Sequence, residues 1–135
     1  MKVSVDKFRF HNISRFPACI FRDDILYPGY ADIWEKEMAS ILAFKRPFTV
    51  IFSSNFIEAT KDRAQRGVWL KRNQEALREY CRGIITIIEN EEVRNDIIRQ
   101  GAASTKIFNI NHEIVASLEQ AITLTQQLVG AIDKS

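Results

Sequence analysis

Residues 83–88 read Gly-Ile-Ile-Thr-Ile-Ile, and this run decides the fold class. Isoleucine and threonine are β-branched, and branched side chains pack well on the pleated surface of a strand. The apolar run is continuous, which is typical of a strand buried on both faces, as strands of parallel sheets are. We therefore predict that residues 84–88 form a central, buried strand.

Helix and strand patterns alternate on both sides of this run. Upstream, a β-branched and aromatic run at 48–52 predicts a strand ending at Ser53-Ser54, and Thr60 is positioned to cap a long helix that reaches about residue 82 and ends at Gly83. Downstream, the pattern predicts a short helix capped by Asn90, a strand at 105–110 and a last helix capped by Asn111. Strands separated by helices argue for parallel pairing through crossover connections.

The N-terminal part has a different pattern. Period-two alternation over residues 3–11 and an apolar run at 16–21 lie close together, which predicts an antiparallel hairpin. A helix follows the Tyr27-Pro28-Gly29 turn, with Asp32 and Glu35 spaced as in a capping box. We therefore expect one α/β domain over residues 1–135, ordered β-β-α-β-α-β-α-β-α, whose mostly parallel sheet has an antiparallel N-terminal edge strand.

Composition excludes several classes of function. A net charge of +2 is too small to indicate binding to nucleic acid. The chain shows neither a signal-peptide core nor an apolar run of the roughly 20 residues that a membrane span needs, so we expect a cytoplasmic protein. The two cysteines, Cys19 and Cys81, lie in apolar stretches and are expected to pack as free, buried thiols.

The sequence contains no recognisable catalytic pattern. His11 and His112 are the only histidines and have no neighbouring ligand set, so we expect no metal site. Gly-rich phosphate loops, the HExxH pattern and a Ser-His-Asp order do not occur. We therefore expect no cofactor, no catalytic residue and no enzymatic activity.

Single positions scattered along the chain match a known pattern: Arg63, Arg66, Trp69-Leu70, Asn73, Leu77, Cys81, Gly83, Val93-Arg94 and Ile107-Phe108. In these residues and in element order and lengths, nearly the whole chain resembles the STAS domain, the fold of anti-sigma-factor antagonists, and in particular a group of bacterial STAS-like proteins. The resemblance implies a small regulatory or scaffold module that acts through protein–protein interaction, with another protein or by self-association.

The chain departs from the STAS pattern at the site of regulation. Typical antagonists carry a phosphorylated serine in an Asp-Ser-Ser/Thr-Gly context after the third strand. This chain has Phe52-Ser53-Ser54-Asn55-Phe56, without the preceding Asp and the following Gly. We therefore predict that no kinase switch operates at Ser53 or Ser54, although Ser53, Ser54 and Asn55 remain candidates for contact with a ligand or partner.

Three polar residues of the long predicted helix complete the candidate site. Arg63 and Arg66 lie near its N-terminus, where α/β sheets place their ligands, so the alternative function is a domain that binds a small anionic ligand there. The structural alternative folds Arg66 over the helix start or pairs it with Asp24 or Glu58. Its stem is predicted to pack near Leu70 and its guanidinium to reach the surface. Asn73, on the core face, is expected to bond neighbouring backbone.

Overall fold

The computed structural model describes residues 8–53, 57–99 and 110–133, with side chains as far as residue 130. Within these ranges five strands form one sheet in the order β1-β2-β3-β4-β5, accompanied by five α-helices. The strands are β1 His11–Asn12, β2 Ala18–Phe21, β3 Phe48–Ser53, β4 Cys81–Ile87 and β5 His112–Val115. The helices are α1 Ala31–Ala43, α2 Thr60–Arg72, α3 Gln74–Tyr80, α4 Glu91–Arg99 and α5 Leu118–Asp133.

The sheet is mixed. β1 pairs with β2 antiparallel, with His11 opposite Phe21, and every other pair is parallel. The α/β class, the antiparallel edge pair and the central position of β4 between β3 and β5 are thus confirmed. The strand predicted over residues 3–11 is short within the described residues, and residues 1–7 lie outside them.

Alternate residues of the strands face two separate cores. The larger core lies under α1, α2 and α3 and includes Trp34, Trp69 and Leu77, with Cys19 and Val50 from the strands. The smaller core lies under α5. It contains Ala121 and the strand residues that point to the other face of the sheet, Ala18, Ile51 and Ile85. Because both faces are covered, the isoleucines of β4 pack into both cores, Ile84 into the larger and Ile85 into the smaller.

Helix α5 lies very close to β4. A Cβ atom added at Gly83 would lie 2.8 Å from Leu128 Cδ1, so a larger residue at this strand position would require the Leu128 side chain to move. Nearby, the buried hydroxyls of Thr49 and Thr125 lie 2.6 Å apart and share a hydrogen bond across the same interface. The prediction that Gly83 ends a helix is therefore wrong, because Gly83 lies inside β4 and serves the packing of α5.

The N-terminus of α1 is capped from another helix. Asp62 of α2 is 2% exposed, and its carboxylate accepts the backbone N–H groups of Gly29 at 2.9 Å and Ala31 at 3.2 Å. The predicted capping by Asp32 is wrong, since Asp32 lies inside the first turn and instead accepts a hydrogen bond from Gln65. A carboxylate at this end also interacts favourably with the helix dipole.

The single long helix predicted from Thr60 to residue 82 is two helices. Thr60 is the first residue of α2 rather than its cap, and α2 ends at Arg72. Asn73 leaves the helical conformation with φ −108° and ψ 20°, and α3 begins at Gln74. The Asn73 side chain donates to the carbonyl of Trp69 at 2.9 Å, a bond of the kind that competes with helix continuation.

The last strand and helix begin later in the chain than predicted. Residues 112–115, expected to open the last helix under an Asn111 cap, form β5 instead, and α5 starts at Leu118. The physical reason is that β4 needs acceptors for its backbone donors, and Ile84 N and Ile88 N donate to Asn111 O and Val115 O at 2.8 and 2.9 Å. The strand predicted at 105–110 falls largely outside the described residues.

Candidate functional site

A cavity of about 430 Å³ lies between the sheet and the helices that cover its larger core. Strands β3, β4 and β5 form its floor, and residues of α1, α2, α3 and α4 surround it. Its wall is mainly apolar and includes Met38, Val50, Leu70, Leu77, Ile84 and Ile88. A volume of this size is within the range of ~300–1,000 Å³ that small-molecule sites occupy.

A few polar side chains interrupt the apolar wall. Thr86 of β4 and His112 of β5 both line the cavity, and Thr86 Oγ1 and His112 Nε2 share a hydrogen bond at 3.0 Å. Ser53, the last residue of β3, also lines it. Pockets that bind small molecules combine an apolar wall with a few such polar groups, which fix the orientation of the ligand.

Cys81 lines the same cavity as a free, buried thiol. Burial raises the pKa of the Cys81 thiol to about 12, and the thiol donates a hydrogen bond to the Gly83 carbonyl at 3.5 Å. Because the thiolate is the nucleophile, a thiol with this pKa is unreactive at neutral pH. Cys81 therefore contributes to the wall of the cavity as a small apolar group.

Arg66 is buried against this cavity and is paired with Glu58. Its Nε donates to Glu58 Oε2 at 3.0 Å and its Nη2 donates to Oε1, while 11% of the Arg66 side chain is exposed. Its guanidinium carbon also lies 5.7 Å from the ring centre of Phe21 and 5.6 Å from that of Trp34. The predicted carboxylate partner is thus found in Glu58, but the prediction that the guanidinium reaches the surface is wrong.

Glu58 joins several groups at the start of α2. Burial raises the pKa of Glu58, but hydrogen bonds from Arg66 and Tyr30 and the charges of Arg66 and Arg63 outweigh it, so that the pKa lies below its usual value. Burial and the bond to Glu58 raise the pKa of Tyr30, which donates its hydroxyl. Arg63 lies 3.7 Å from Glu58 and is mostly exposed. The structure therefore brings both candidate arginines to one carboxylate.

The other candidate residues are not gathered at one place. The Asn73 amide bonds the Trp69 carbonyl, which confirms the expected backbone contact, and Asn73 lies at the junction of α2 and α3. Ser54 and Asn55 lie outside the described residues. Asp24, the other partner considered for Arg66, bonds Arg22 instead at 3.1 Å.

Sequence reasoning missed three polar residues of this region: Tyr30, Thr86 and His112. One sequence feature could have marked Thr86 as a site residue, because it is the one polar residue in the isoleucine run of β4. No sequence feature marked His112, since the sequence pattern placed it in a helix. Tyr30 looked like an ordinary apolar position of α1, and its hydroxyl finds Glu58 only through the tertiary fold.

Among the residues of the described ranges, no group of three His, Cys, Asp or Glu side chains is placed to hold a metal ion. Over the same residues, each helix is too short or too polar to cross a membrane.

The fold and the cavity define an α/β protein with a mixed sheet and an apolar cavity on its helix-covered face. Comparison of the chain with models of protein families, with curated proteins and with solved structures gave no significant match.

Proposed function

We propose that this chain is a non-enzymatic, STAS-like regulatory module that binds a small, largely apolar molecule in the cavity. The observation that carries the proposal is the cavity itself, about 430 Å³ with a mainly apolar wall. Protein interiors are packed as densely as organic crystals, and voids larger than a water molecule are few. The mixed sheet with its antiparallel edge strand supports the STAS-like part of the proposal.

The same region gives less support to an anionic ligand. Arg66 makes a two-point bond to Glu58, and Arg63 faces the same carboxylate. An anion bound by these arginines would have to compete with Glu58, whose side chain is only 4% exposed. Displacing a buried carboxylate from its cation is costly because the carboxylate loses its partner without gaining water.

Binding can be measured with N-phenyl-1-naphthylamine, an uncharged fluorescent probe of apolar sites. The chain has two tryptophans, Trp34 and Trp69. Trp34 lines the cavity, and the two rings pack in a T-shaped arrangement with their centres 5.3 Å apart. We expect the probe to bind with saturation and to accept excitation energy from these tryptophans. Failure of the probe to saturate would contradict the proposal.

A matched pair of variants locates the bound probe. Ile84 lines the cavity, whereas Ile87 of the same strand packs on the opposite face, near α5. Because Ile84→Phe fills the space that the ligand needs, we expect it to weaken probe binding about tenfold or more, and Ile87→Phe to change it by less than about twofold. Equal effects of the two substitutions would place the probe outside the cavity.

A second candidate function is self-association, and a groove beside β5 favours it. In the described part of the chain, β5 pairs with β4 on one side only. The groove, about 630 Å³, runs along this edge between α4 and α5 and includes Ile98, Ile114, Val115 and Leu124. An unpaired strand edge is a ready template for pairing with another strand.

Sedimentation velocity tests this candidate function. We expect a concentration-dependent dimer that Ile98→Lys abolishes, because the substitution places a charge in the groove. Val93→Lys is the control, since Val93 is equally exposed on the same helix (45% against 44%) but does not line the groove. A protein that stays monomeric at all concentrations, or a dimer that both variants weaken equally, would exclude the groove as the interface.

A further inference from the structure

We infer that the ligand of the cavity is uncharged and amphipathic, with a hydrocarbon body and one hydrogen-bonding group that contacts the Thr86–His112 pair. This inference rests on the proposed function and adds the chemical class and orientation of the ligand. It depends on three observations: the charge balance around the cavity, the polar pair on its floor and its volume.

The charge balance excludes a charged head group. Among the described residues that line the cavity, Arg66 is the only one with a permanently charged side chain, and the Glu58 carboxylate compensates it at 3.0 Å. No carboxylate of the described lining is available to a cationic ligand. An ion in an apolar site loses its hydration and requires a counter-charge, so a neutral molecule is favoured.

The Thr86–His112 pair supplies the polar contact. A threonine hydroxyl has one donor and two acceptor positions, and a neutral imidazole has one of each. Their mutual hydrogen bond uses one donor and one acceptor, so the pair keeps one donor and two acceptor positions. An alcohol, a ketone or an amide can form hydrogen bonds with these free positions, whereas a hydrocarbon cannot.

The volume suits a ligand of moderate size. At about 430 Å³ the cavity lies within the range of ~300–1,000 Å³ that small-molecule sites occupy. A ten-carbon chain with one polar end fits within such a volume. The cavity walls around such a chain are the isoleucine, leucine and valine side chains of the sheet and helices.

Three ligands with the same ten-carbon chain test the class. 1-Decanol, decanoate and decylammonium differ in the charge of the head group, and each can be titrated against bound N-phenyl-1-naphthylamine at neutral pH. We expect 1-decanol to displace the probe with a Kd about tenfold or more below those of the two ions. Displacement by either ion at an equal or lower concentration would overturn the uncharged class.

Two threonine variants test the polar contact. Thr86→Val preserves the side-chain volume and removes the hydroxyl. We therefore expect it to raise the Kd of 1-decanol about fivefold or more. The Kd of the probe should stay within about twofold of its wild-type value. Thr49→Val is the control, because Thr49 is equally part of the sheet but faces Thr125 on the other side. An unchanged Kd for 1-decanol in Thr86→Val would overturn the assigned contact.

The two proposals fail in different ways. If the probe binds but decanoate or decylammonium has a lower Kd than 1-decanol, the inferred ligand class is wrong. The proposed function, binding of a small molecule in the cavity, is then still supported. If the probe does not bind the wild-type protein at all, the proposed function fails and this inference fails with it.

Discussion

Arg66→Ala is expected to lower the free energy of unfolding by about 3–5 kcal/mol, because it leaves the Glu58 carboxylate buried without its cation. Only 4% of the Glu58 side chain is exposed, and the substitution removes both hydrogen bonds that its carboxylate accepts from Arg66. Loss of the guanidinium, whose carbon lies 5.7 Å from the ring centre of Phe21 and 5.6 Å from that of Trp34, adds to the effect. Urea denaturation of the two proteins measures the difference.

Arg63→Ala is the matched control for this result. Arg63 faces the same carboxylate from 3.7 Å, but 79% of its side chain is exposed. Its removal should therefore change the free energy of unfolding by no more than about 0.5 kcal/mol. Equal stability of the Arg63→Ala and Arg66→Ala proteins would show that the Glu58–Arg66 pair has no structural role.

Lowering the pH should reduce the difference in the free energy of unfolding between the wild type and Arg66→Ala. The pKa of Glu58 in the folded protein lies below its ordinary value of 4.5, so the ion pair stabilises the fold above that value. This stabilisation is lost as the pH falls through the lowered pKa of the folded state. A protonated Glu58 needs no cation, and the unfolding free energies of the two proteins should converge on acidification.

Glu37→Ala is expected to lower the free energy of unfolding by about 3 kcal/mol or more. The reason is that the buried Glu37 carboxylate accepts hydrogen bonds from three donors of the N-terminal segment. Glu37 is 6% exposed and accepts Arg9 N at 2.7 Å, Phe10 N at 3.0 Å and His11 Nδ1 at 2.9 Å. Without the carboxylate, the buried donors of Phe10 and His11 and the partly buried Arg9 N–H have no acceptor from α1. Thermal or urea unfolding measures the loss, and hydrogen exchange at the Phe10 amide should show it locally.

Glu35→Ala provides the comparison on the same helix. Glu35 is half-buried, and it accepts a hydrogen bond from a side chain, that of Gln65, rather than from the backbone of another segment. We expect its removal to cost less than about 1 kcal/mol. If Glu37→Ala costs no more than Glu35→Ala, the carboxylate does not hold the N-terminal segment.

The sequence was sufficient for the elements whose pattern is determined locally. The isoleucine run of β4 and the Asn90 cap of α4 were both predicted, and the cap is present as a 2.9 Å bond from Val93 N to the Asn90 side chain. In these places one local preference agrees with the tertiary contacts around it. The pattern therefore needed no information from distant residues.

The errors arose where distant residues decide the local structure. Helical spacing continues through Asn73, so the break between α2 and α3 could not be read from periodicity. Ile114 matched the apolar stripe of the last helix equally well, and only the backbone donors of β4 make it a strand residue. The cap of α1 comes from Asp62, about thirty residues later in the chain, which no local motif reveals.

The cavity was beyond the reach of sequence reasoning for a different reason. Each residue of its wall, taken alone, is an ordinary core residue. The space between them depends on how four helices and three strands meet, and no side chain of the described residues fills it. Only the Thr86 hydroxyl within the isoleucine run of β4 marked the position.

The order of the sheet also determines how the chain can fold. Each strand pairs with its neighbour in sequence, so the sheet can grow one strand at a time with short loop closures. Helix α5 is the exception, because the bond between Thr49 and Thr125 spans 76 residues. Helix α5 therefore closes a loop of 76 residues, and a chain emerging from the ribosome would expose the α5-facing side of β3 and β4 until α5 is made.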